Sequence, residues 1–447
     1  FLVDISCAFA VAFCDFFFPN ITGNIIDDYI PNRNIRLLLI WCCVLLAIFI
    51  IKAILNYCVN YYGHSVGVRM QADMRRDIFT RMQTLPFKYF DSTKTGNIMS
   101  RIINDLMDIS ELAHHGPEGL FVSAVMLIGS FTMLCIVSVP LTLIIFAFVP
   151  IMIVFATKMR KKMGNAFTKT REEIAEVNAS IENSISGIRV SKAFTNSQKE
   201  EDKFTKNNKA FVKSRELAFK AMSEFHFGMG LFTDILNLSV MVGGGLFCYF
   251  GYITIGEFVK YMLYINMFLL PIHKIIDFVE QFQNGMSGFK RFCEIMDTKP
   301  EYEKPDAINV EKVDGNIEFK NVSFKYDDSN DILSNINLSI SKGKTIAFVG
   351  SSGGGKTTLC HLIPRFYDIN SGEIVIDGIN IMDFTLESLR KNVGIVQQDV
   401  FLFEGTIWDN IAYGNLDATD EEIINAAKMA NIHDFVLELE NGYKTNI

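Results

Sequence analysis

The 447-residue sequence has few charged residues for its length and an excess of apolar ones. Charged residues make up 21% of the chain and apolar residues 49%, and there are 39 Phe but only 42 Lys and Arg together. Soluble domains carry a larger charged fraction. This shortage of charge argues against a purely soluble protein and favours a membrane protein. The net charge of −8 gives little further information about the class of protein. We predict no nucleic-acid partner.

The nine cysteines lack both CxxC pairs and a regular spacing. Disulfide frameworks and cysteine zinc sites depend on such patterns. Seven of the nine lie inside apolar segments, so we expect buried free thiols rather than a disulfide scaffold or a cysteine zinc site. The sequence begins at Phe1 without an initiator Met, inside an apolar segment, and we expect the N-terminus to be that of a fragment.

Six apolar segments lie between residue 1 and about residue 285. Each has roughly the 20 residues that a helix needs to span a bilayer. They begin at Phe1, Leu37, Gly119, Leu141, Phe227 and Phe258. The alternative, buried helices of a large soluble protein, is disfavoured because the connecting segments differ so strongly in length. We predict a six-helix transmembrane domain over residues 1–285.

The distribution of cations orients these six segments. Two long connections, at about 63–117 and 158–224, are rich in Lys and Arg, whereas the short connections "SVPLT" and "GYITIG" contain none. An excess of cations marks the cytoplasmic side. Because apolar residues recur at helical spacing in both long connections, we predict that membrane helices 2 to 5 continue into the cytoplasm. Gly, Ser, Thr and Pro interrupt the pattern near the tips, "LPFKYFDSTKTG" and "NSISGIRVSKAF".

Several ionisable residues lie within or near the apolar segments. Intramembrane charges are rare and are often functional. They are Asp4, Asp15, Lys52, Asp234, Lys260, Lys274 and Asp277. The other interpretation is that several of them lie at membrane interfaces or in cytoplasmic extensions.

The composition changes after the sixth segment. Residues 286–315 are polar, contain two prolines, and are predicted to be a linker. Residues 316–447 alternate strand and helix patterns, with predicted strands at "NIEFKNVSFKY" and "GEIVIDG" and predicted buried strands at "KTIAFVG" and "VGIVQQ". Thr419 and Glu422 have the spacing of a capping box that opens a helix. We predict a cytoplasmic α/β domain over 316–447.

A glycine-rich loop in this domain matches G-x-x-x-x-G-K-[ST] in full. Its glycines let backbone N–H groups point inward at a phosphate. In this motif the lysine, Lys356, reaches the β- and γ-phosphates, and the hydroxyl of the next residue, Thr357, binds Mg²⁺. The competing interpretation, a plain glycine-rich turn, is disfavoured because a strand pattern precedes and a helix pattern follows. The predicted nucleotide-binding residues of the loop are Gly350, Ser351, Ser352, Gly353, Gly354, Gly355, Lys356, Thr357 and Thr358.

Two further residues are weaker candidates when taken alone. Tyr326 ends the first strand pattern, where its ring has the position to stack on adenine, although a strand Tyr is more often a packing residue. Gln397 and Gln398 end the pattern "VGIVQQ", and an amide there has the position to complete a Mg²⁺ shell. Adjacent glutamines are otherwise unremarkable.

Taken together, these segments resemble an ABC exporter half-transporter, and the resemblance covers essentially the whole chain. "LPFKYFDSTKTGNIMSRIINDL" and "ENSISGIRVSKAF" are similar to the two intracellular loops of that family, and "GSSGGGKTT" to its Walker A loop. Tyr326 falls at the position of the adenine-stacking aromatic. Gln398, rather than Gln397, falls at the Q-loop glutamine, which implies a role for Gln398 in nucleotide and metal binding. The resemblance implies a RecA-like ABC-type P-loop NTPase domain after the membrane domain.

The family implies a function as well as a fold. Two half-transporters, identical or related, would pair to enclose ATP and Mg²⁺ and would export drugs, lipids or peptides of hydrophobic or amphipathic character across the cell membrane. Short coupling helices, expected near residues 87–96 and 184–194, would carry closure of the nucleotide domains to the membrane helices. The protein is therefore expected to be a multi-pass protein of the cytoplasmic membrane, with membrane lipid, substrate and a second half-transporter as partners.

The sequence departs from the family pattern at its end. It stops at "LENGYKTNI", before the expected signature, Walker B aspartate and catalytic glutamate. We therefore expect ATP hydrolysis by the complete protein but not by this stretch alone, and we predict no catalytic residue within it. The alternative functions are a nucleotide-regulated channel and a partner subunit with a degenerate ATP site.

Overall fold

The computed structural model describes residues 2–326, 331–397 and 400–447, without the side chains at 273, 276, 277, 279 and 280. Asp277, singled out in the sequence, is thus not described beyond its backbone. The chain divides into two compact units. We call Phe1–Leu85 with Ser92–Lys299 the membrane unit, and Pro86–Asp91 with Pro300–Ile447 the C-terminal unit.

The helices up to residue 297 account for almost all of the membrane unit and for one short piece of the C-terminal unit. Two five-residue π-helical segments, Ile25–Tyr29 and Arg101–Asp105, interrupt them. In chain order the helices are α1 (Leu2–Asn24), α2 (Ile35–Met82), α3 (Phe87–Ser92), α4 (Thr95–Ser100), α5 (Leu106–Val137), α6 (Val139–Phe146), α7 (Val149–Ser186), α8 (Ile188–Ala193), α9 (Ser197–Tyr249) and α10 (Ile255–Asp297).

Six helical segments among the described residues are long and apolar enough to cross a membrane, which confirms the six predicted from the sequence. They are Leu2–Tyr29, Ile35–Met82, Thr95–Val137, Val139–Ser186, Ser197–Tyr249 and Ile255–Ile272. At 1.5 Å per residue, the 48 residues of α2 extend about 72 Å. The hydrocarbon core of a bilayer is only about 30 Å thick. The helices therefore continue well outside the membrane, as predicted.

Local sequence signals explain where several helices begin and end. Thr254 and Glu257 form a capping box at the start of α10, each side chain accepting the backbone N–H of the other residue. Extended Ser138, followed by Pro140, separates α5 from α6. Short helices α3 and α8 lie at the tips of the two long connections, within the regions where coupling helices were expected.

The core of the membrane unit contains two fully buried tyrosines, Tyr261 and Tyr264. The Tyr261 hydroxyl donates to Thr142 Oγ1 at 3.1 Å, and the Tyr264 hydroxyl donates to the Phe16 carbonyl at 2.9 Å. Each phenol therefore has a polar partner, as a buried hydroxyl requires. These two bonds tie α10 to α6 and to α1.

Some of the ionisable residues singled out in the sequence are paired. Lys52 on α2 forms an ion pair with Asp15 on α1. Lys260 on α10 donates to the Asn24 side chain at 2.8 Å. Pairing of this kind lowers the cost of a charge in an apolar environment.

The C-terminal unit contains a four-stranded antiparallel sheet of order β2-β1-β3-β4, in which Phe319 lies opposite both Leu338 and Ile374. Its strands are β1 (Ile317–Phe324), β2 (Leu333–Ile340), β3 (Ser371–Ile376) and β4 (Ile379–Asn380). Its further helices are α11 (Lys356–Leu362), α12 (Leu386–Lys391), α13 (Ile407–Ala412), α14 (Asp420–Met429) and α15 (His433–Glu438). The predicted Thr419–Glu422 capping box opens α14. The segment 286–315, predicted to be a linker, starts inside α10.

Two predicted strands are not formed. The segments "KTIAFVG" and "VGIVQQ", as far as the latter is described, have no strand structure. Val349 is 94% and Val396 98% exposed, although both were expected to be buried. A buried strand needs neighbouring strands to satisfy its backbone groups, and within the described ranges no strand pairs with either segment.

Asp377 binds the backbone of the segment that leads into strand β1. It lies at φ +50° in the turn between β3 and β4. Its Oδ2 accepts the backbone N–H groups of Asp314 and Gly315 at 2.6 and 3.0 Å, and its Oδ1 accepts that of Asn316 at 2.8 Å. Burial alone would raise the pKa of this carboxyl, but the donated N–H groups outweigh it and leave the pKa below its usual value.

Asp377→Asn is expected to lower the free energy of unfolding of the C-terminal unit by about 1–2 kcal/mol at pH 7, which is below the ~1.5–3 kcal/mol of hydrogen bonds to a charged group because solvent screens this half-buried carboxylate. Asn tolerates the positive φ, so only the carboxylate is lost. Because the folded pKa is lowered, the difference should be complete above about pH 4 and should vanish as the pH falls through the folded value. Urea unfolding of both proteins across this range measures it, with exposed Asp417→Asn as the control. A pH-independent difference would contradict the assignment.

Candidate nucleotide site

The glycine-rich loop has the backbone conformation that its sequence requires. Gly353 and Gly355 lie at φ +81° and +78°, a region that glycine adopts without strain. A Cβ on Gly355 would lie 2.8 Å from Leu333 Cδ2, whereas one on Gly350 or Gly353 would meet nothing within 4 Å. Gly355 thus allows the loop to approach β2 closely, and the opposite part of the loop is open.

Lys356 folds over this loop. Its Nζ donates to the carbonyls of Gly350 and Ser351 at 3.0 and 2.7 Å. An ammonium group has three donors and no acceptor, so these bonds fix the positive charge beside the glycines. The lysine is therefore part of the loop that its motif predicts for phosphate binding.

Helix α11 has one face in the core and one in solvent. Thr358, Leu359 and Leu362 are buried, while Thr357 is exposed. The buried leucines belong to the apolar core beneath the sheet. Because neighbouring helical residues point in different directions, burial of Thr358 leaves the Thr357 hydroxyl accessible for a metal ion.

Tyr326 lies next to α11, although thirty residues separate it from Lys356 in the sequence. Its hydroxyl is 3.3 Å from Thr358 Oγ1. Its half-buried ring packs edge-on against Phe324 and Tyr367, with centroids 4.8 and 5.1 Å apart. The structure therefore brings together the predicted aromatic residue and the loop helix. Gln398 lies outside the described residues, and its neighbour Gln397 is exposed.

Two side chains of helix α3, Phe87 and Asp91, contact the loop after α11 within the C-terminal unit. The Phe87 ring stacks on Phe366, with centroids 4.2 Å apart and planes 26° apart. The Tyr367 hydroxyl donates to Asp91 Oδ2 at 2.5 Å. Burial, and then this hydrogen bond, raise the pKa of Tyr367, so it stays protonated and able to donate.

Arg390 on α12 supports this aromatic stack. Its guanidinium lies 5.8 Å from the Phe87 ring centroid and 5.6 Å from that of Phe366. It also forms a bidentate pair with Glu301, at 2.8 and 2.6 Å, a geometry that fixes the planar group. The sequence identified the loop motif that contains Phe87 but gave no signal for its partners, because Phe366 follows 279 residues later and Arg390 303 residues later.

These features fit the ligand that the motif implies, Mg²⁺–ATP. The open side of the loop has room for phosphates, and Lys356 supplies a positive charge beside it. The accessible hydroxyl of Thr357 is a suitable oxygen ligand for Mg²⁺.

Comparison with known proteins identifies the family. Residues 1–272 match the family model described as "ABC transporter transmembrane region", and residues 333–444 match the family model described as "ABC transporter". The chain is 41% identical over 448 residues to an uncharacterized ABC transporter ATP-binding protein, YwjA, of Bacillus subtilis, covering 100% of this chain and 78% of that protein. The second match implies ATP binding, typically with Mg²⁺, and ATPase activity of the family type.

Two further relatives have names that state an activity. The chain is 34% identical to an ATP-dependent lipid A-core flippase of Syntrophus aciditrophicus, over 94% of this chain and 70% of that protein. It is 31% identical to a putative multidrug export ATP-binding/permease protein, YgaD, of Bacillus subtilis, over 96% and 75%. A solved bacterial Atm1-family ABC exporter has the same fold, with a TM-score of 0.82 at 22% identity over 100% of this chain and 78% of that one. The chain therefore belongs to the ABC transporter family, as a multi-pass membrane protein with the architecture of an exporter half-transporter and a cytoplasmic nucleotide-binding domain.

Proposed function

We propose that this chain is one half of a dimeric exporter that uses ATP to move hydrophobic or amphipathic molecules across the cytoplasmic membrane by alternating access. The observation that carries the proposal is the position of α3. This helix belongs to the connection between α2 and α5, yet Phe87 and Asp91 pack on Phe366 and Tyr367 of the C-terminal unit. Such a helix provides a mechanical link between nucleotide binding and the membrane helices.

The nucleotide site is proposed to consist of the loop from Gly350 to Thr358 together with Tyr326 and Gln398. Lys356 would neutralise phosphate charge, Thr357 and Gln398 would bind Mg²⁺, and the Tyr326 ring would stack on adenine. ATP supplies the driving force only if it binds the closed dimer more tightly than the open one. Equal affinity for both states would leave the equilibrium between them unchanged. Dimer closure around ATP would meet that condition.

The substrate class follows from the relatives and from the composition of the membrane helices. The relatives are named for lipid A-core and multidrug export, both of which concern amphipathic or hydrophobic molecules. The membrane helices are rich in aromatic residues, among them the exposed Phe17, Phe18 and Phe227. We therefore propose drugs, lipids or peptides with substantial apolar surface as substrates.

The proposal is tested with the full-length protein in inside-out vesicles. Uptake of a fluorescent amphipathic dye, a labelled lipid and a labelled peptide is measured with ATP, with ADP, and with a non-hydrolysable ATP analogue. If the protein is an exporter, at least one substrate is taken up in the presence of ATP and is not taken up with ADP or with the analogue. Nucleotide-dependent ion conductance without uptake would instead identify a channel. Activity that appears only when a second half-transporter is co-expressed would identify a subunit of a heterodimer.

Tyr326→Ala is expected to weaken ATP binding about tenfold and to leave the binding of inorganic triphosphate nearly unchanged. The reason is that loss of base stacking removes about 1–3 kcal/mol, while the phosphate loop is intact. Equilibrium binding of both ligands measures the difference. Tyr326→Phe is the matched control, because it keeps the ring and removes the hydroxyl near Thr358. Equal weakening of both ligands by Tyr326→Ala would argue against stacking.

A further inference from the structure

Five ionisable side chains meet on three helices of the membrane unit. Asp4 lies on α1, His64 on α2, and His114, His115 and Glu118 on α5. Their sequence positions are up to 114 residues apart. His64 and His114 flank apolar segments at the ends that the cation distribution assigns to the cytoplasm.

This His–carboxylate cluster contains two overlapping sets of three side chains, and the ligand atoms of each set are close enough to share one ion. The ligand atoms of His64, His114 and His115 all lie within 4.8 Å of one another, and so do those of Asp4, His114 and Glu118. His114 Nδ1 is 3.5 Å from Asp4 Oδ2, and His115 Nδ1 is 3.8 Å from Glu118 Oε2. The two groups therefore overlap at His114.

Several of these atoms are buried without a hydrogen-bond partner. Asp4 is 0% and His114 4% exposed. Both carboxylate oxygens of Asp4, Nδ1 of His114 and Oε2 of Glu118 lack a hydrogen bond among the described residues. Buried polar atoms are nearly always satisfied, and an unpaired carboxylate in an apolar region is costly. A cation bound to Glu118 and to the other ring nitrogen of His114 would satisfy Glu118 Oε2 and leave the Nδ1–H of His114 to donate to Asp4.

The backbone of α2 makes room for this arrangement. A Cβ on Gly63 would lie 2.1 Å from His114 Cε1, 2.4 Å from its Nε2 and 3.1 Å from Asp4 Oδ1. Any larger residue at this position would displace the imidazole. Gly63 thus allows the ring of His114 to pack directly against α2, beside His64.

A cavity of about 440 Å³ adjoins the cluster and gives it a path to solvent. His115 and Glu118 line it, together with Lys274, Phe278 and Gln281. Lys274 brings a positive charge to the cavity. The two carboxylates of the cluster provide the negative charge on which a divalent cation depends.

We propose that this cluster binds a divalent transition-metal ion of the Zn²⁺ class. Imidazole nitrogens with a carboxylate are the ligands that Zn²⁺ and its neighbours Co²⁺ and Ni²⁺ prefer, whereas Mg²⁺ and Ca²⁺ prefer oxygen ligands alone. The three imidazoles and Glu118 are the ligands, and Asp4 accepts the remaining ring N–H of His114, as carboxylates beside metal-bound histidines do. The ion joins α1, α2 and α5 at one point.

The experiment measures metal binding by the full-length protein in lipid nanodiscs, purified without an oligohistidine tag and stripped with EDTA. Co²⁺ is added as a probe with visible absorption, and Zn²⁺ is then added to displace it. One Co²⁺ per chain, displaced by Zn²⁺ but not by Mg²⁺, is expected. Because no nucleotide is present, the result does not depend on the proposed transport activity.

Three variants locate the site. His115→Ala, a half-exposed residue, should weaken Co²⁺ binding at least tenfold without unfolding the protein. Gly63→Ala should weaken it too, because the added methyl group displaces His114 while all ligands remain. His226→Ala removes an exposed histidine of α9 outside the cluster and should bind like the wild type. No Co²⁺ binding by the wild type, or equal binding by His115→Ala and the wild type, would overturn the proposal.

Discussion

Replacing Lys356 by Ala in the full-length protein is expected to abolish ATP-driven uptake and to lower ATPase activity at least a hundredfold. The ammonium group lies beside Gly350 and Ser351 at the open side of the loop. There it would offset the charge of the nucleotide phosphates. Removing one preorganised charged donor from such a site costs about 2.7–4 kcal/mol in the rate. Phosphate release and vesicle uptake measure the two effects.

Lys344→Ala is the matched control for this variant. Lys344 is an exposed lysine a few residues before the loop, so its loss changes the net charge equally and leaves the loop intact. We expect wild-type activity from it. If Lys356→Ala retained uptake while folding normally, the phosphate-binding role of the loop would be wrong.

Replacing Phe87 by Ala is expected to reduce ATP-driven uptake about tenfold while ATP binding is unchanged. The ring stacks on Phe366 at 4.2 Å and lies below the Arg390 guanidinium. Aromatic pairs contribute about 0.5–1.5 kcal/mol beyond the area they bury, and a loss of 1.4 kcal/mol corresponds to a factor of ten. Because the nucleotide loop does not include Phe87, the variant separates coupling from ATP binding.

Two comparisons make this result specific. Phe79→Ala removes an exposed ring from α2, only eight residues earlier in the chain, and should leave uptake unchanged. Phe366→Ala should reproduce the defect of Phe87→Ala, and the double variant should be little worse than either single one, because both remove the same contact. Fully additive defects would show that the two rings act independently, and the proposed link through α3 would then be incorrect.

The parts of this protein that were predictable from the sequence are those that depend on neighbouring residues. Apolar segments of membrane-spanning length identified six helices. A segment inside a bilayer must form its backbone hydrogen bonds within itself, and a helix does so. The capping box at Thr419 was predictable because its partners lie three residues apart. The P-loop was recognisable for the same reason, and the positive φ angles of Gly353 and Gly355 are those that its glycines permit.

The predictions that failed concern partners distant in the chain. The segments at 344–350 and 393–397 have the apolar composition of buried strands, yet among the described residues neither has a neighbour to pair with. Composition identifies a preference for burial, but strand formation depends on the partner that supplies the hydrogen bonds.

The sequence by itself determined the family, the six membrane helices, their orientation and the glycine-rich loop motif, because each depends on local periodicity, charge or motif spacing. Only the tertiary structure decided that Phe87 lies on Phe366, that Tyr326 lies beside Thr358, and that three histidines meet Asp4 and Glu118. Those contacts depend on the way in which the long helices pack against one another and on the packing around the sheet. No local pattern in the sequence records which distant side chains that packing brings together.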